Sequence, residues 1–301
     1  MLIVMKFGGT SVGSVDALKN VVKIVSDARQ NGHEIVVVVS AMSGVTNLLL
    51  NAAAQAEVGH EEIAHQAKTE IAHKHAEATL HFLDHTPERD AVLAEINTLL
   101  DEFEALCHGI CVLGELTPRA LDVIGGLGER MNAPQVAAIL NRAGLPAASI
   151  EATQLIVTDN CFGSAIPLID ETEANTQARL RPLLDAGKIP VVTGFIGSTE
   201  DGIPTTLGRG GSDYSATILG RALGADEVWI WTDVNGVMTA DPRVVPEAHP
   251  ISHLSYAEIS ELSYFGAKVL HSQAIRPARR VNMPVRILNT FAPDHPGTLI
   301  T

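Results

Sequence analysis

The chain has 301 residues, is 46% hydrophobic and carries a formal net charge of −14 at pH 7. That length and composition support a substantial core in one large α/β domain or two closely joined lobes. The acidic field repels a phosphate-rich polymer, no apolar run is long enough to span a bilayer and no basic leader precedes one, so neither a nucleic-acid nor a membrane partner is expected and a cytoplasmic enzyme is.

The run Leu2-Ile3-Val4-Met5 predicts a buried strand, with Lys6 at its end. Phe7-Gly8-Gly9-Thr10-Ser11 follows, and its paired glycines let the backbone turn while removing Cβ atoms that would block a ligand. Val15, Leu18, Val22 and Val25 then repeat at helical spacing behind Ser14, which predicts a helix with a serine N-cap. The N–H groups of such a loop and the positive helix end cradle an anion such as phosphate, and Lys6 adds a full charge beside it. Phosphoryl transfer is the reading this favours. The apparatus differs from the known loops: no G-x-x-x-x-G-K-S/T, no G-x-G-x-x-G after the strand, and no H-R-D or D-F-G occurs.

Residues 35–39 predict a second buried strand, ending in the small-residue loop Ser40-Ala41-Met42-Ser43-Gly44-Val45-Thr46 ahead of a helix at 48–56. Small polar residues at the carboxyl end of a strand are where open α/β sheets hold ligands. Residues 60–124 read as a helical insertion, broken at Thr86-Pro87 and capped again at Thr117-Pro118. Scaffolding or subunit contact is its expected use, with nothing catalytic inside. Its histidines lack a His-Glu-x-x-His pattern and fit a solvated helix face, while Cys107, Cys111 and Cys161 are too few and wrongly spaced for a disulfide framework. Cys107 and Cys111 are expected to be buried and inert, and no metal site is expected. Gly125-Gly126-Leu127-Gly128-Glu129-Arg130 then interrupts a helix, which suggests close approach of a ligand or backbone.

Strands at 147–150, 155–158 and 189–193, with a helix at 173–186, give the βαβ alternation of a mostly parallel sheet. Gly208-Arg209-Gly210-Gly211-Ser212-Asp213 opens a helix at 214–223, and the arginine fork suits a carboxylate or phosphate. A strand at 228–231 ends in the polar loop Thr232-Asp233-Val234-Asn235-Gly236. The segment Tyr264-Phe265-Gly266-Ala267-Lys268-Val269-Leu270-His271 predicts the start of a helix, with Lys268 in a first turn that suits a lysine only beside an anion.

Taken in this order, Lys6 to Val12, Val39-Ser40-Ala41 with Thr46-Asn47, Gly128-Glu129-Arg130, Gly208 to Asp213, Thr232 to Arg243 and Tyr264 to His271 resemble the aspartokinase family over essentially the whole chain. The resemblance implies an αβα sandwich with a mostly parallel central sheet, the amino-acid-kinase fold, plus the helical insertion. It implies a single catalytic domain over 1–301, with an amino-acid-binding lobe at about 1–200 and a nucleotide-binding lobe at about 201–301; family members continue into small regulatory domains, and no such C-terminal domain is expected in this sequence, which stops at Thr301. The implied reaction is ATP plus L-aspartate giving ADP and 4-phospho-L-aspartate, a step towards lysine, threonine and methionine, with Mg²⁺ riding on ATP and a homo-oligomer expected.

By motif match, Lys6 neutralises the transferring phosphoryl group, Ser40 lies near it, and Asp213 orients Lys6 or the loop rather than acting as a base. Thr46, Glu129, Arg209, Gly210, Gly211 and Ser212 would hold aspartate, Glu129 meeting its ammonium and Arg209 its α-carboxylate. Phe7, Gly8, Gly9, Thr232, Asp233, Met238, Arg243, Lys268 and Val269, with Lys6, would line the nucleotide site. Met238 stands where the family often has tyrosine, which weakens any contact assigned to it. A kinase of glutamate or acetylglutamate and a catalytically silent nucleotide-binding subunit are the alternatives. The charge on Glu129 argues for a free amino group, and retention of Lys6, Arg209, Asp213 and Lys268 together argues against silence.

Overall fold

Strand β1 (Leu2–Phe7) is buried along its length, and its side chains alternate between two separate cores. Ile3, Met5 and Phe7 enter one and Leu2 and Val4 the other, the period-two consequence of a strand covered on both faces. The computed structural model describes residues 1–240, 244, 245, 247–264 and 270–301.

After β1 come the single turn α1 (Gly9–Val12), α2 (Val15–Gln30), β2 (Glu34–Val39), α3 (Val45–Glu57), α4 (Glu62–Phe82), α5 (Pro87–Leu113), α6 (Pro118–Gly125) and α7 (Leu127–Arg142). Then follow β3 (Ala147–Ile150), β4 (Val157–Thr158), α8 (Ile169–Asp185), β5 (Ile189–Thr193), β6 (Ile196–Thr199), β7 (Pro204–Thr206), α9 (Gly211–Leu223) and β8 (Glu227–Thr232). The chain continues through β9 (His253–Leu254), α10 (Tyr256–Tyr264), α11 (Ser272–Arg280), β10 (Val285–Asn289) and β11 (Thr298–Ile300). An eight-stranded sheet runs β3-β5-β2-β1-β8-β10-β11-β9, parallel except for the β10–β11 pair, and β4-β6-β7 form a small second sheet. Helices α2 to α5 and α7 fill the core on one face, and α8, α9 and α11 that on the other. This is the expected αβα sandwich.

The N-caps behave as side-chain chemistry dictates. Ser14 accepts from the N–H of Ala17, Thr86 from Arg89 and Thr117 from Ala120, with Pro87 and Pro118 in the first turns. The expected insertion is a long antiparallel pair, α4 and α5, laid against α3 and α7. Cys107 is buried, its thiol pushed up to about 12 by that burial, whereas Cys111 is only half-buried.

Two expectations are corrected. Of 155–158 only Val157–Thr158 is strand, because a 3-10 turn at Ala152–Gln154 closes with the Leu155 N–H on the Ala152 carbonyl. Tyr264 belongs to α10 rather than opening a helix, residues 265–269 of the expected helix start lie outside the described residues, and α11 starts at Ser272 behind the N-cap His271. The overlooked signal is Ser255-Tyr256-Ala257-Glu258, a capping box in which Ser255 donates from its backbone N–H and hydroxyl to Glu258 and accepts the Glu258 N–H.

Candidate functional site

The sheet order turns back at β1. Its sequence neighbour β2 lies on one side, and β8, reached much later in the chain, on the other. Such a switch point leaves a crevice beyond the carboxyl ends of the strands, where α/β proteins bind ligands. A cleft of about 920 Å³ opens there, lined by Lys6 of β1, Ser40 after β2 and Thr232 of β8.

Lys6 is 8% exposed, and its Nζ lies 2.6 Å from Asp213 Oδ1 in the first turn of α9. The loop after β1 is pinned to β8 by the Gly8 N–H on the Trp231 carbonyl at 3.1 Å. Helix α9 is entered through Gly210 in the left-handed conformation at φ 74°, where a Cβ would sit 2.7 Å from that of His271. Only glycine meets both conditions. Gly8, Gly9, Arg209, Gly210, Gly211, Ser212 and Asp233 also line this part of the cleft, Arg209 being exposed and Ser212 buried.

Glu129 occupies the first turn of α7 and is 3% exposed. The helix can come this close because Gly128 lies against Ala41, where a Cβ would meet the Ala41 Cβ at 2.6 Å. Burial pushes the Glu129 carboxyl up to about 8, opposed by backbone hydrogen bonds at Ala41 and Glu129 and by the charge of Lys6. Among the described residues its Oε2 has no hydrogen-bond partner. One turn further on, Asn132 donates from Nδ2 to the Ser40 carbonyl at 2.7 Å and so fixes the end of β2. Thr46 lines the cleft from the first turn of α3, behind Gly44 at φ 85°.

Thirteen of the residues singled out from the sequence thus share one cleft: Lys6, Gly8, Gly9, Ser40, Thr46, Glu129, Arg209, Gly210, Gly211, Ser212, Asp213, Thr232 and Asp233. Phe7 and Met238 do not line it. The Phe7 side chain is fully buried and stacks on Trp231 with centroids 6.1 Å apart, as strand alternation requires when Lys6 points to the cleft. Met238 is half-buried in a bridge to Pro250. Arg243, Lys268 and Val269 lie outside the described residues.

Sequence reasoning missed Asp122, Phe195 and Thr206, all of which line the cleft. Leu121 and Asp122, near the end of the 60–124 segment, belong to the cleft wall, because α6 leads directly into α7. A carboxylate next to Leu121 and Ile124 was the available signal. From α4, Lys74 reaches the rim and donates to the Ser43 carbonyl at 3.2 Å. Among the described residues no three His, Cys, Asp or Glu side chains gather as a metal cage, and no helix is long and apolar enough to cross a membrane.

The sequence profile described as the amino acid kinase family matches residues 1–289. The chain is similar to aspartokinase 1, chloroplastic, of Arabidopsis thaliana, at 38% identity over 305 residues covering 99% of this chain and 52% of that protein. It is similar to the aspartokinase of Pseudomonas aeruginosa at 36% identity over 302 residues, all of this chain and 58% of that one. Among solved structures, E. coli aspartokinase III in complex with aspartate and ADP (R-state) superposes with a TM-score of 0.90 at 33% identity, over 100% of this chain and 64% of that one. The chain therefore spans about half to two-thirds of the length of these three relatives.

Proposed function

This chain belongs to the amino acid kinase family, and from that premise we propose that it phosphorylates the side-chain carboxylate of L-aspartate with ATP. The observation that carries the reading is one cleft holding both a Lys6–Asp213 ion pair among glycine loops and a buried glutamate with one oxygen unpartnered among the described residues. The first arrangement suits a triphosphate. The second suits a cation that arrives with its own charge, the ammonium of a free amino acid.

The chemistry needs no general base. A free aspartate side chain, with a pKa of about 3.9, is ionised at neutral pH. One of its oxygens attacks the γ-phosphorus, the bond to the β,γ-bridging oxygen breaks, and ADP departs with that electron pair. The obstacle is repulsion between two anions, so positioning and electrostatics dominate. At an effective dielectric of about 20, unit charges about 4 Å apart interact by about 4 kcal/mol. One preorganised lysine therefore matters on the scale of the barrier. Lys6 would sit against the transferring group, with Asp213 holding its ammonium rather than taking a proton. Glu129 would meet the substrate ammonium, Arg209 the α-carboxylate, and Thr46 and Ser212 would complete that contact. Thr232 and Asp233 would face the nucleotide.

Mg²⁺ would ride on the triphosphate oxygens and neutralise charge there, and Asp213 and Asp233 of the cleft are carboxylates of the kind that would hold it. In this reading residues at about 1–200 chiefly serve the amino acid and those at about 201–301 the nucleotide, with Lys6 reaching the phosphoryl group from the first part and Arg209 and Ser212 reaching the amino acid from the second. The acyl phosphate formed would be the first step towards lysine, threonine and methionine, as the relatives' activity implies. Trapping the product with hydroxylamine tests the proposal. A hydroxamate from L-aspartate, and none from glutamate or N-acetylglutamate, is expected; preference for either of the others reassigns the substrate, and no product from any leaves a silent nucleotide-binding protein.

A further inference from the structure

The two groups assigned to the amino acid's backbone belong to distant parts of the chain. Glu129 opens α7, while Arg209 follows β7. Gripping an ammonium and a carboxylate on one carbon requires a fixed separation between them, and nothing local in the sequence sets it. Asp122 is the side chain that ties the two parts together. It lies in α6, which runs through Gly126 into α7, and it is 3% exposed. Its Oδ1 accepts from the Gly163 N–H at 2.9 Å and from the Thr206 hydroxyl at 2.6 Å. Its Oδ2 accepts from the Gly163 N–H at 2.9 Å and from the Thr206 N–H at 3.0 Å.

Both anchored residues lead towards Arg209. Thr206 ends β7 just before it. Gly163 forms the surface on which Gly208 rests: a Cβ on Gly208 would lie 3.1 Å from the Gly163 carbonyl oxygen, and Gly208 itself is left-handed at φ 73°. The Gly208 carbonyl in turn accepts the N–H of Gly211, the first residue of α9. One carboxylate thus joins the Glu129 side of the cleft, the 159–165 loop and the turn carrying Arg209. Its donors among the described residues are neutral, and burying a carboxylic acid group is costly where apolar packing would do.

Resting on the aspartate-kinase reading, we propose that Asp122 is a positioning residue that fixes the spacing between Glu129 and Arg209 and so sets selectivity for an α-amino acid. Loss of hydrogen bonds to a charged group is expected to be read mainly in the substrate whose site they shape.

The test compares the unsubstituted chain with Asp122→Ala, Asp122→Asn and Thr206→Val in the hydroxamate assay, with melting temperature and circular dichroism alongside. In Asp122→Ala the KM for aspartate is expected to rise about tenfold or more, while the KM for ATP stays within about twofold. The preference for L-aspartate over succinate, which lacks the ammonium, falls in parallel. Asp122→Asn shows a smaller rise, because its amide NH₂ now faces the donors Gly163 and Thr206, and Thr206→Val shifts KM in the same direction. A folded Asp122→Ala with unchanged KM for aspartate overturns the proposal. So does an equal fall in every parameter with the aspartate-to-succinate preference intact, which marks a purely structural role. Should Asp122→Ala fail to fold, the other two variants carry the same criterion. An unsubstituted chain that forms no hydroxamate from aspartate sinks the substrate reading before any variant is made, and this proposal with it.

Discussion

Asp213 has a counter-charge beside it, the Lys6 ammonium at 2.6 Å, whereas Glu129 is buried; among the described residues neither Asp213 Oδ1 nor Glu129 Oε2 accepts a hydrogen bond. Both are acids in the first turn of a helix that faces the cleft. The difference lies in what surrounds them. A neighbouring cation satisfies the charge of Asp213 and spares Lys6 any reorganisation when a triphosphate arrives, the condition under which fixed charges stabilise a transition state best. At Glu129 burial outweighs the backbone donors and the more distant charge of Lys6, so its carboxyl is pushed up to about 8 and it ionises fully only when a cation arrives. Asp213 has its counter-charge before binding, and Glu129 receives one from the ligand.

Breaking the Lys6–Asp213 pair should have the largest effect. Lys6→Ala removes one preorganised donor, a loss of about 2.7–4 kcal/mol or 10²–10³ in rate. The expected outcome is native circular dichroism with kcat reduced by that factor; near-normal kcat would remove Lys6 from the chemistry.

Glu129 responds differently. Glu129→Gln should raise the KM for aspartate by about 10- to 100-fold, since a hydrogen bond to a charged group contributes roughly 1.5–3 kcal/mol. The ligand-free protein should lose nothing in stability, because the amide resembles the protonated acid already present. The pH dependence follows from linkage. With an ordinary value of 4.5 and a folded value of about 8, the folded state holds the proton that the unfolded state releases. Stability from this group is full below 4.5, declines as pH rises and is gone above about 8. Urea titrations of the ligand-free chain between those pH values should show this slope, and Glu129→Gln should flatten it. Aspartate binding at pH 7 should expel the proton, detectable as a binding enthalpy that varies with the ionisation enthalpy of the buffer.

Arg209→Lys keeps the charge and loses the two-pronged contact. About a tenfold rise in the KM for aspartate, with little change for ATP, is expected; a rise confined to ATP would move Arg209 to the nucleotide. The smallest effect belongs to charges away from the cleft. Lys68 pairs with Asp101 at 2.7 Å and Glu104 at 2.5 Å across the α4–α5 hairpin, where exposed pairs contribute under about 1 kcal/mol. Lys68→Met should leave both KM values unchanged, and a shift in either would tie the hairpin to the cleft.

Much of the frame was legible in the sequence because its signals are local. Apolar runs at 2–5 and 35–39, glycines after strands and Ser14, Thr86 and Thr117 before helical patterns each act over a few residues, and each produced the element expected. The start of α10 was equally local in the Ser255–Glu258 box and was passed over for the more conspicuous glycine motif downstream. Phe7 illustrates the opposite limit. It belongs to the same loop motif as Lys6, yet alternation along β1 sends its side chain into the core.

The sequence by itself determined the inventory of the cleft: a lysine at a strand end, two glycine-rich turns, an arginine fork and an isolated glutamate. Tertiary structure alone decided their relations. Lys6 meets Asp213, Asp122 reaches Gly163 and Thr206, and Asn132 holds the end of β2, each across a long stretch of intervening chain. The raised Glu129 carboxyl is of the same kind, since desolvation is a property of the whole enclosure. Periodicity and capping are written in neighbouring residues because backbone geometry repeats over a few positions. Burial and long-range pairing depend on how separate segments pack against one another, and no window of sequence contains that.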